Sequence, residues 1–432
     1  MIAFKSARLL CILDRPTQYD VPLWEHMART GNLQPIVWYL KAGSGHDPEI
    51  GKDVSWSNDP RNAAWCEVVD FKSVSSRLRK LPFIPGAVLT PPWRHPVTRV
   101  ALFEAWRKGI PVILPSDKIL DEPDEPSSAS LRRIAVRAFH ACKARLFSGF
   151  LCTGTLSARE LIRLGIPQDR IATGLYPIDC NWWADQKTFF TLQSCDLRRR
   201  VLRENPGGKV ILAVTKLSDR EDPMLILEAF SCFHRADTSA RLILVGGGPL
   251  QTAVRDRVIA LGLENVVHLA GYVRYSNLPT YYGAADVFIH CPMVEPWGIS
   301  VGEAMASGLP VVVTSSVGSA VDLVVSGRTG LVVNSRSPVN IANALECVLR
   351  KVSGQPGLGH ALATTVSHLD VGRVSRDIAS LVERLHQPST WEPVLRTIIA
   401  GTLRRNVPTP NPIPRGQTRS APGQSPIDET PR

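Results

Sequence analysis

The chain has 432 residues, of which 44% are hydrophobic and 21% charged, and its formal net charge is +11. This length suits two domains with an extra tail, and the composition excludes a disordered polyelectrolyte. No run of about 18 uncharged apolar residues occurs, so a membrane-spanning helix is not expected. The positive charge could attract nucleic acid, an anionic membrane or an anionic substrate. No nucleic-acid-binding motif accompanies it, so we expect no nucleic acid as a partner.

The first half of the chain alternates short apolar runs with helical segments. This alternation is typical of an α/β domain with a parallel sheet, and we expect one over residues 1–185. A first apolar run at 8–13, broken by charged residues, predicts a strand and not a signal peptide. Strands are predicted at 8–13, 33–40, 86–90, 111–115 and 149–154, with helices at 21–30, 97–108, 130–146 and 155–164.

The second half, residues 186–390, shows the same alternation more clearly. Its apolar runs are rich in Val, Ile and Leu and do not alternate with polar residues, which indicates strands buried on both faces of a parallel sheet. We therefore predict a second Rossmann-like, doubly wound domain, with helices that include 223–236 and 371–386. A further helix is expected at 391–405, and the Pro- and Gly-rich residues 406–432 are expected to be disordered. The predicted strands are 209–214, 241–246, 265–270, 286–290, 310–314 and 330–333.

The nine cysteines are scattered, and none forms a CxxC pair. This pattern favours free thiols in a reducing cytoplasm and gives no support to metal binding by cysteine. We therefore expect a cytoplasmic protein.

The segment 295–314, EPWGISVGEAMASGLPVVVT, carries two acids around a predicted helix start. Ser300 and Glu303 fit a capping box, which predicts a helix at 300–307. The preceding Gly298 allows close approach of the backbone, and the N–H groups of Gly298, Ile299 and Ser300 would then face the cleft. A helix start of this kind suits a diphosphate.

Carboxylates are poor partners for phosphate but good acceptors for hydroxyl groups. Glu295 and Glu303, placed around a diphosphate site, therefore suggest two polyols, a ribose and a sugar, which together describe a nucleotide-sugar. The alternative is that Glu303 only completes the capping box and that Glu295 is a solvated loop acid.

The same segment resembles the signature of retaining glycosyltransferases of the GT-B fold, family 4. The resemblance covers most of 209–335 and includes 214–230, the glycine-containing 244–250, 263–273, 278–290 and 315–333, in the order of that family. It implies two Rossmann-like domains facing across a cleft, with the acceptor on the N-terminal side and the donor on the C-terminal side. A dinucleotide-dependent oxidoreductase is a weaker alternative, because the G-x-G-x-x-G order is absent.

The resemblance also implies roles for individual residues. Glu303 would bind the ribose, and Glu295 would hold hydroxyls of the transferred sugar and act in catalysis. The backbone of Gly298, Ile299 and Ser300 would contact sugar and phosphate. The remaining expected donor contacts are Gly247 and Gly248, which allow the nucleotide to approach closely, and Val273, which borders the base.

In this family two cationic side chains usually face the diphosphate. This sequence differs from the family pattern at one of the two positions. Lys216 fits the first place, but Glu221 occupies the second, where its charge would repel the diphosphate. Arg220 could turn inward and replace the missing cation. Otherwise donor binding would be weakened, or the chain would be a catalytically silent protein that binds a nucleotide-sugar or a partner transferase.

The implied reaction is a metal-independent transfer from a UDP- or GDP-linked sugar, with no other cofactor, to a glycan or lipid-linked acceptor. Such a reaction would serve surface polysaccharide or glycolipid synthesis. Gln18, Tyr19, His95 and Asp117 follow predicted strands of the first domain and could contact the acceptor, although an ordinary loop role is simpler for each. The amphipathic segment 131–145 is most simply a core-facing helix with a solvated basic face. The alternative is docking on anionic lipid at the inner face of the membrane.

Overall fold

The computed structural model describes residues 8–387, apart from 32, 48–51, 56–59, 61–62, 118–130 and 204. It contains two parallel sheets, one in each half of the chain, and a small antiparallel pair of strands. The predicted helix at 391–405 and the predicted tail at 406–432 lie outside the described residues.

The first sheet has seven parallel strands in the order β5-β2-β1-β6-β7-β8-β9, and β3 and β4 form the antiparallel pair. All five strands predicted in this half are present, within two residues at each end. The strands are β1 (Arg8–Leu13), β2 (Gln34–Tyr39), β3 (Ser44–Asp47), β4 (Lys52–Ser55), β5 (Cys66–Val68), β6 (Ala87–Leu89), β7 (Val112–Ser116), β8 (Gly149–Cys152) and β9 (Ile171–Thr173).

Helices connect these strands and cover both faces of the sheet. Alternate side chains of β1 enter the two cores: Leu10 and Ile12 pack in one, Leu9 and Cys11 in the other. This burial on both faces is why the strand reads as a continuous apolar run. The helices of this half are α1 (Asp20–Thr30), α2 (Val74–Arg79), α3 (Pro96–Arg107), α4 (Leu131–Ala144) and α5 (Thr155–Arg163).

The second sheet has six parallel strands in the order β12-β11-β10-β13-β14-β15. Its inner strands are buried almost throughout, as their Val, Ile and Leu content predicts. The strands are β10 (Val210–Val214), β11 (Arg241–Val245), β12 (Val267–Gly271), β13 (Val287–His290), β14 (Val311–Thr314) and β15 (Gly330–Val333).

The helices of the second half also follow recognisable local signals. The helix at 223–236 begins as predicted, with Pro223 in its first turn, and the Asp222 carboxylate accepts a hydrogen bond from the Leu225 N–H (3.2 Å). The helices are α6 (Cys180–Phe189), α7 (Thr191–Leu202), α8 (Pro223–Ala236), α9 (Gln251–Ala260), α10 (Leu278–Ala284), α11 (Ile299–Ala306), α12 (Ala320–Leu323), α13 (Pro338–Cys347), α14 (Leu358–Val366) and α15 (Val371–Leu385).

The last described helix, α15, packs on the first sheet and not on the second. Its buried face, which includes Val374, Ile378 and Leu381, shares a hydrophobic core with Leu9 and Trp24. The core of the second sheet in turn takes in Ile178 and Trp183. The packing therefore differs from the expected limits of 1–185 and 186–390: the chain crosses to the second domain before residue 178 and returns at about residue 370.

The two crossings are hydrogen-bonded to each other. The Ile178 N–H donates to the carbonyl of Leu369 (2.8 Å), and the Val371 N–H donates to the carbonyl of Ile178 (3.1 Å). The two polypeptide links between the domains therefore form one paired connection.

A second contact joins the domains beside the cleft. The backbone N–H and the hydroxyl of Thr155, at the start of α5, both donate to the carboxylate of Asp322 in α12. Gly154 must be glycine here, because a Cβ would lie 2.3 Å from Cζ3 of Trp297. The structure therefore holds the two domains close together.

Helix α4 differs from the simplest interpretation of its sequence. Phe139 is one of the apolar residues of the segment 131–145 that a core-facing helix would bury, but it is 62% exposed, and Cys142 is exposed too. No helix among the described residues is both long enough and apolar enough to cross a membrane.

Candidate functional site

The main cavity lies between the two domains and has a volume of about 610 Å³. It opens at the carboxyl ends of β10, β11 and β13, which is where open parallel sheets bind ligands. All but two of the residues predicted for the site line it. They are Gln18, Tyr19, Asp117, Lys216, Arg220, Gly247, Val273, Glu295, Gly298, Ile299, Ser300 and Glu303.

Glu295 is fixed in the loop between β13 and α11. Its Oε1 accepts hydrogen bonds from the backbone N–H of Trp297 (3.2 Å) and of Gly298 (3.1 Å). Its Oε2 accepts one from Nη1 of Arg220 at 2.8 Å. The Gly298 N–H is therefore already used, and the prediction that it would be available to a ligand is wrong.

Helix α11 begins at Ile299, one residue before the predicted start, and its N-cap is Gly298 with φ +86°. No side chain caps it, so the predicted capping box of Ser300 and Glu303 is also wrong. A residue with a Cβ at position 298 would be strained at this φ and would meet Val317 Cγ1 at 2.9 Å. The backbone turn made by glycine, and not a serine cap, sets the start of this helix.

Glu303 lies one turn inside α11 and is only 5% exposed. Its Oε2 accepts a hydrogen bond from the Tyr282 hydroxyl (3.0 Å). Burial raises the pKa of this carboxyl to about 7, and the hydrogen bond from Tyr282 opposes that change only in part. A buried carboxyl with no role in capping, at the wall of a cavity, is available to bind a polar ligand.

Arg220 does turn inward. Its guanidinium lies between two carboxylates, with Nη1 2.8 Å from Glu295 Oε2 and Nη2 2.7 Å from Glu221 Oε1. Glu221 itself is buried, lines the cavity and accepts a hydrogen bond from the Thr215 hydroxyl (2.9 Å). Burial, and then the negative charge of Glu295, raise the pKa of Glu221.

A second cavity of about 590 Å³ adjoins the first on the side of the N-terminal domain. Lys216, Asp117, Tyr19 and Tyr176 line both cavities and so stand at their junction. The rings of Tyr19 and Tyr176 meet edge to face with centroids 5.1 Å apart. Apolar side chains make much of the remaining wall, among them Leu13, Leu23, Trp24, Leu89 and Leu151.

Two of the predicted residues are not part of either cavity. His95 caps α3, its Nδ1 accepting a hydrogen bond from the Val97 N–H (3.2 Å). Gly248 faces the backbone of its own domain: a Cβ there would lie 2.5 Å from the Leu217 carbonyl oxygen. We therefore correct His95 to a structural cap and Gly248 to a packing position.

Sequence reasoning missed several polar residues in or beside the site. Tyr176 reaches it from the link between the domains, and Tyr282 supports Glu303 from α10. His290 ends β13, is 2% exposed and lines the main cavity. A polar residue at the carboxyl end of a buried strand is the signal that could have found His290.

Two Rossmann-like domains with a cavity between the carboxyl ends of their sheets define the GT-B class of fold. Residues 196–353 match the family model described as Glycosyl transferases group 1. The match lies in the second half of the chain and includes all the strands from β10 to β15.

Two curated relatives match part of the chain. Mannosylfructose-phosphate synthase of Agrobacterium fabrum is 37% identical over 140 residues, 30% of each chain. GDP-mannose-dependent alpha-(1-6)-phosphatidylinositol monomannoside mannosyltransferase of Mycobacterium tuberculosis is 33% identical over 158 residues, 35% of this chain and 40% of that one. The match thus spans well under half of the length of each relative.

A solved structure extends the likeness in fold to most of the chain. The HepE protein of Anabaena, in complex with UDP and glucose, superposes with a TM-score of 0.61 over 86% of this chain and 98% of its own, at 17% identity. At that identity the likeness concerns the fold.

Proposed function

We propose that the protein is a retaining glycosyltransferase that moves a sugar from a nucleotide-diphosphate sugar to an acceptor hydroxyl. One observation carries this proposal: Glu295 and Glu303, separated along the chain by a turn, both reach the main cavity together with Lys216 and Arg220. Carboxylates for hydroxyls and cations for a diphosphate are the chemistry that such a donor requires. The group 1 domain match supports the same assignment.

In this proposal each group acts on a different part of the donor. The buried Glu303 accepts hydrogen bonds from the ribose hydroxyls, while Glu295 accepts them from the transferred sugar. Lys216 and Arg220 stabilise the negative charge that grows on the diphosphate as it leaves. The start of α11 adds the N–H groups of Ile299 and Ser300 and a favourable helix dipole.

The second cavity is the place for the acceptor. It joins the donor cavity at Lys216 and Asp117, so an acceptor hydroxyl there would lie beside the bond that breaks. Its wall combines apolar side chains with the charged Asp14, Arg15 and Asp20. This combination suits an amphipathic acceptor, such as a lipid-linked glycan in surface polysaccharide or glycolipid synthesis.

The catalytically silent alternative has no observation in its favour. It depended on Glu221 replacing a cation, and Arg220 brings a cation to the same place. None of the comparisons supports it either.

A panel of UDP- and GDP-linked sugars tests the proposal, with release of free nucleotide measured with and without lipid extracts. We expect release from one donor, stimulated by acceptor, with an α-anomeric donor giving an α-linked product. A protein that binds nucleotide but releases none from any donor would support the silent alternative.

The variant Glu303→Ala tests the donor site itself. Loss of a charge-assisted contact with ribose should weaken nucleotide binding by roughly 1.5–3 kcal/mol. Isothermal titration measures this, with Glu228→Ala as the control, because Glu228 pairs with Arg257 on an outer helix. Equal affinity in the two variants would contradict the role given to Glu303.

A further inference from the structure

A buried acid stands at the position where the family resemblance implies a cation. Glu221 is only 5% exposed and lines the main cavity. Burying a carboxylate is costly unless hydrogen bonds and a nearby cation stabilise it. The partners of Glu221 therefore indicate what this residue does in the site.

Each oxygen of the Glu221 carboxylate has its own partner. Oε1 accepts a hydrogen bond from Nη2 of Arg220 (2.7 Å), and Oε2 accepts one from the Thr215 hydroxyl (2.9 Å). His290 Nε2 lies 3.9 Å from Oε2, but burial lowers the pKa of this imidazole to about 4, so the ring is neutral near pH 7. Among the described contacts, Arg220 is therefore the cationic partner of Glu221.

Backbone hydrogen bonds fix the segment that carries this pair. The Glu221 N–H donates to the Ser218 carbonyl (3.1 Å), and the Arg220 carbonyl accepts from the N–H of Met293 (2.8 Å). The first bond closes a turn before α8, and the second ties this turn to the loop that carries Glu295. Both side chains therefore leave the backbone from a hydrogen-bonded turn, which limits the positions that they can reach.

The guanidinium of Arg220 lies between two carboxylates. Its Nη1 is 2.8 Å from Oε2 of Glu295, on the side away from Glu221, and the Arg220 side chain is still 37% exposed. A long, partly exposed side chain has many rotamers available unless its end group is held. Removal of either carboxylate would therefore let the guanidinium leave its present place at the cavity wall.

We propose that Glu221 is a positioning residue, which holds Arg220 against the β-phosphate of the donor. This inference rests on the proposed function, in which Glu295 binds the transferred sugar. Because Arg220 also binds Glu295, its guanidinium lies at the sugar end of the diphosphate, where negative charge grows as the bond breaks. A guanidinium carries five N–H donors in a fixed fork, so one arginine can bind carboxylates and a phosphate oxygen together.

This role explains why the order of charges differs from the family pattern. The cation expected at position 221 comes instead from position 220, and it needs an anchor to reach the same part of the cavity. Glu221, itself held by Thr215, is that anchor. Arg220 and Glu221 thus act as one unit, and the acid does not contact the donor itself.

Nucleotide affinity tests this role, because a nucleoside diphosphate and its monophosphate differ only in the β-phosphate. The full chain is titrated calorimetrically with UDP and UMP, and with GDP and GMP. In Glu221→Gln we expect affinity for the better-bound diphosphate to fall about tenfold, with affinity for its monophosphate unchanged. Glu228→Gln, which breaks the exposed pair with Arg257, is the matched control and should bind both as the wild type does. Equal losses for the two nucleotides, or no loss for either, would overturn the inference.

A double-mutant cycle shows whether Glu221 acts through Arg220. Arg220→Met should lower diphosphate affinity at least as much as Glu221→Gln does. Adding Glu221→Gln to Arg220→Met should then cause no further loss, because the side chain that Glu221 positions is already absent. Losses that multiply in the double variant would show that Glu221 acts independently of Arg220 and would contradict the positioning role.

A milder variant decides the question if Glu221→Gln does not fold. Thr215→Val keeps the branched shape of the side chain and removes the hydrogen bond to Glu221 Oε2. Diphosphate affinity should fall about threefold with monophosphate affinity unchanged, and an unchanged diphosphate affinity would overturn the inference. Failure of both UDP and GDP to bind the wild type would instead contradict the proposed function.

Discussion

Single residues decide what the main cavity can bind. Glu303 is buried in a helix without serving as a cap, and Glu295 is held by two backbone N–H groups and by Arg220. Each of these two carboxylates is therefore less mobile and less solvated than a carboxylate on the protein surface. Such an arrangement is common where carboxylates bind substrate and uncommon where they only support the fold.

The raised pKa of Glu303 predicts how stability depends on pH. Its pKa is about 7 in the folded chain, against 4.5 when it is unperturbed, so the folded state binds the proton more tightly. The contribution of Glu303 to stability should therefore fall by roughly 3 kcal/mol as the pH rises from about 4.5 to above 7.

The variant Glu303→Gln removes this titration while keeping the size of the side chain. Relative to the wild type, it should gain unfolding free energy as the pH is raised from 5 to 8. Urea unfolding at the two pH values measures the difference. A gap between the two proteins that stays constant with pH would show that Glu303 is ionised at both.

At the scale of helices and strands, some features of the fold could be predicted from the sequence and others could not. The strands were predictable because both faces of each sheet are covered, which demands continuous apolar runs. The start of α11 was predicted one residue too late, because Ser300 and Glu303 satisfy the local capping pattern while the left-handed Gly298 sets the actual turn. The direction of Arg220 depends on Glu221 and Glu295 together, a contact between distant segments that no local pattern encodes.

Helix α15 is the clearest case of an element placed by tertiary contacts. Its length and apolar periodicity predicted a helix at 371–386, and the structure has Val371–Leu385. Its amphipathic pattern does not say which sheet it covers. Only the packing of its buried face against Leu9, Leu23 and Trp24 assigns it to the first domain.

This assignment predicts where a mutation in α15 acts. Leu381 is fully buried against the first sheet, so Leu381→Ala should lower the unfolding free energy of the N-terminal domain by about 2–5 kcal/mol. Hydrogen exchange at the amides of β1 and α1, followed as a function of urea concentration, measures it. The exposed Arg376→Ala on the same helix is the control, and equal losses in the two variants would contradict the assignment.

At the scale of the whole molecule, the proposed function puts the donor and acceptor walls in different domains, so activity would require the domains to be close. The contact of Thr155 with Asp322 joins the two domains beside the main cavity. The Asp322 carboxylate also accepts a hydrogen bond from the backbone N–H of Thr155, the first residue of α5. The N-cap residue Gly154 has no side chain that could accept it.

Removing this contact should open the cleft. In Asp322→Ala we expect a larger radius of gyration by small-angle X-ray scattering and a higher KM for donor, with little change in folding. Asp256→Ala, an exposed substitution on α9, is the control. A scattering profile identical to that of the wild type would show that other contacts keep the domains together.

The paired crossings at Ile178 and at Leu369 to Val371 limit how the protein can move. Two separate linkers would let one domain slide or twist over the other, but here the links are joined by backbone hydrogen bonds and must bend as a unit. Rotation about this one line is then the easy motion, and it widens both cavities at once. Both substrates would then enter, and both products leave, during the same opening motion.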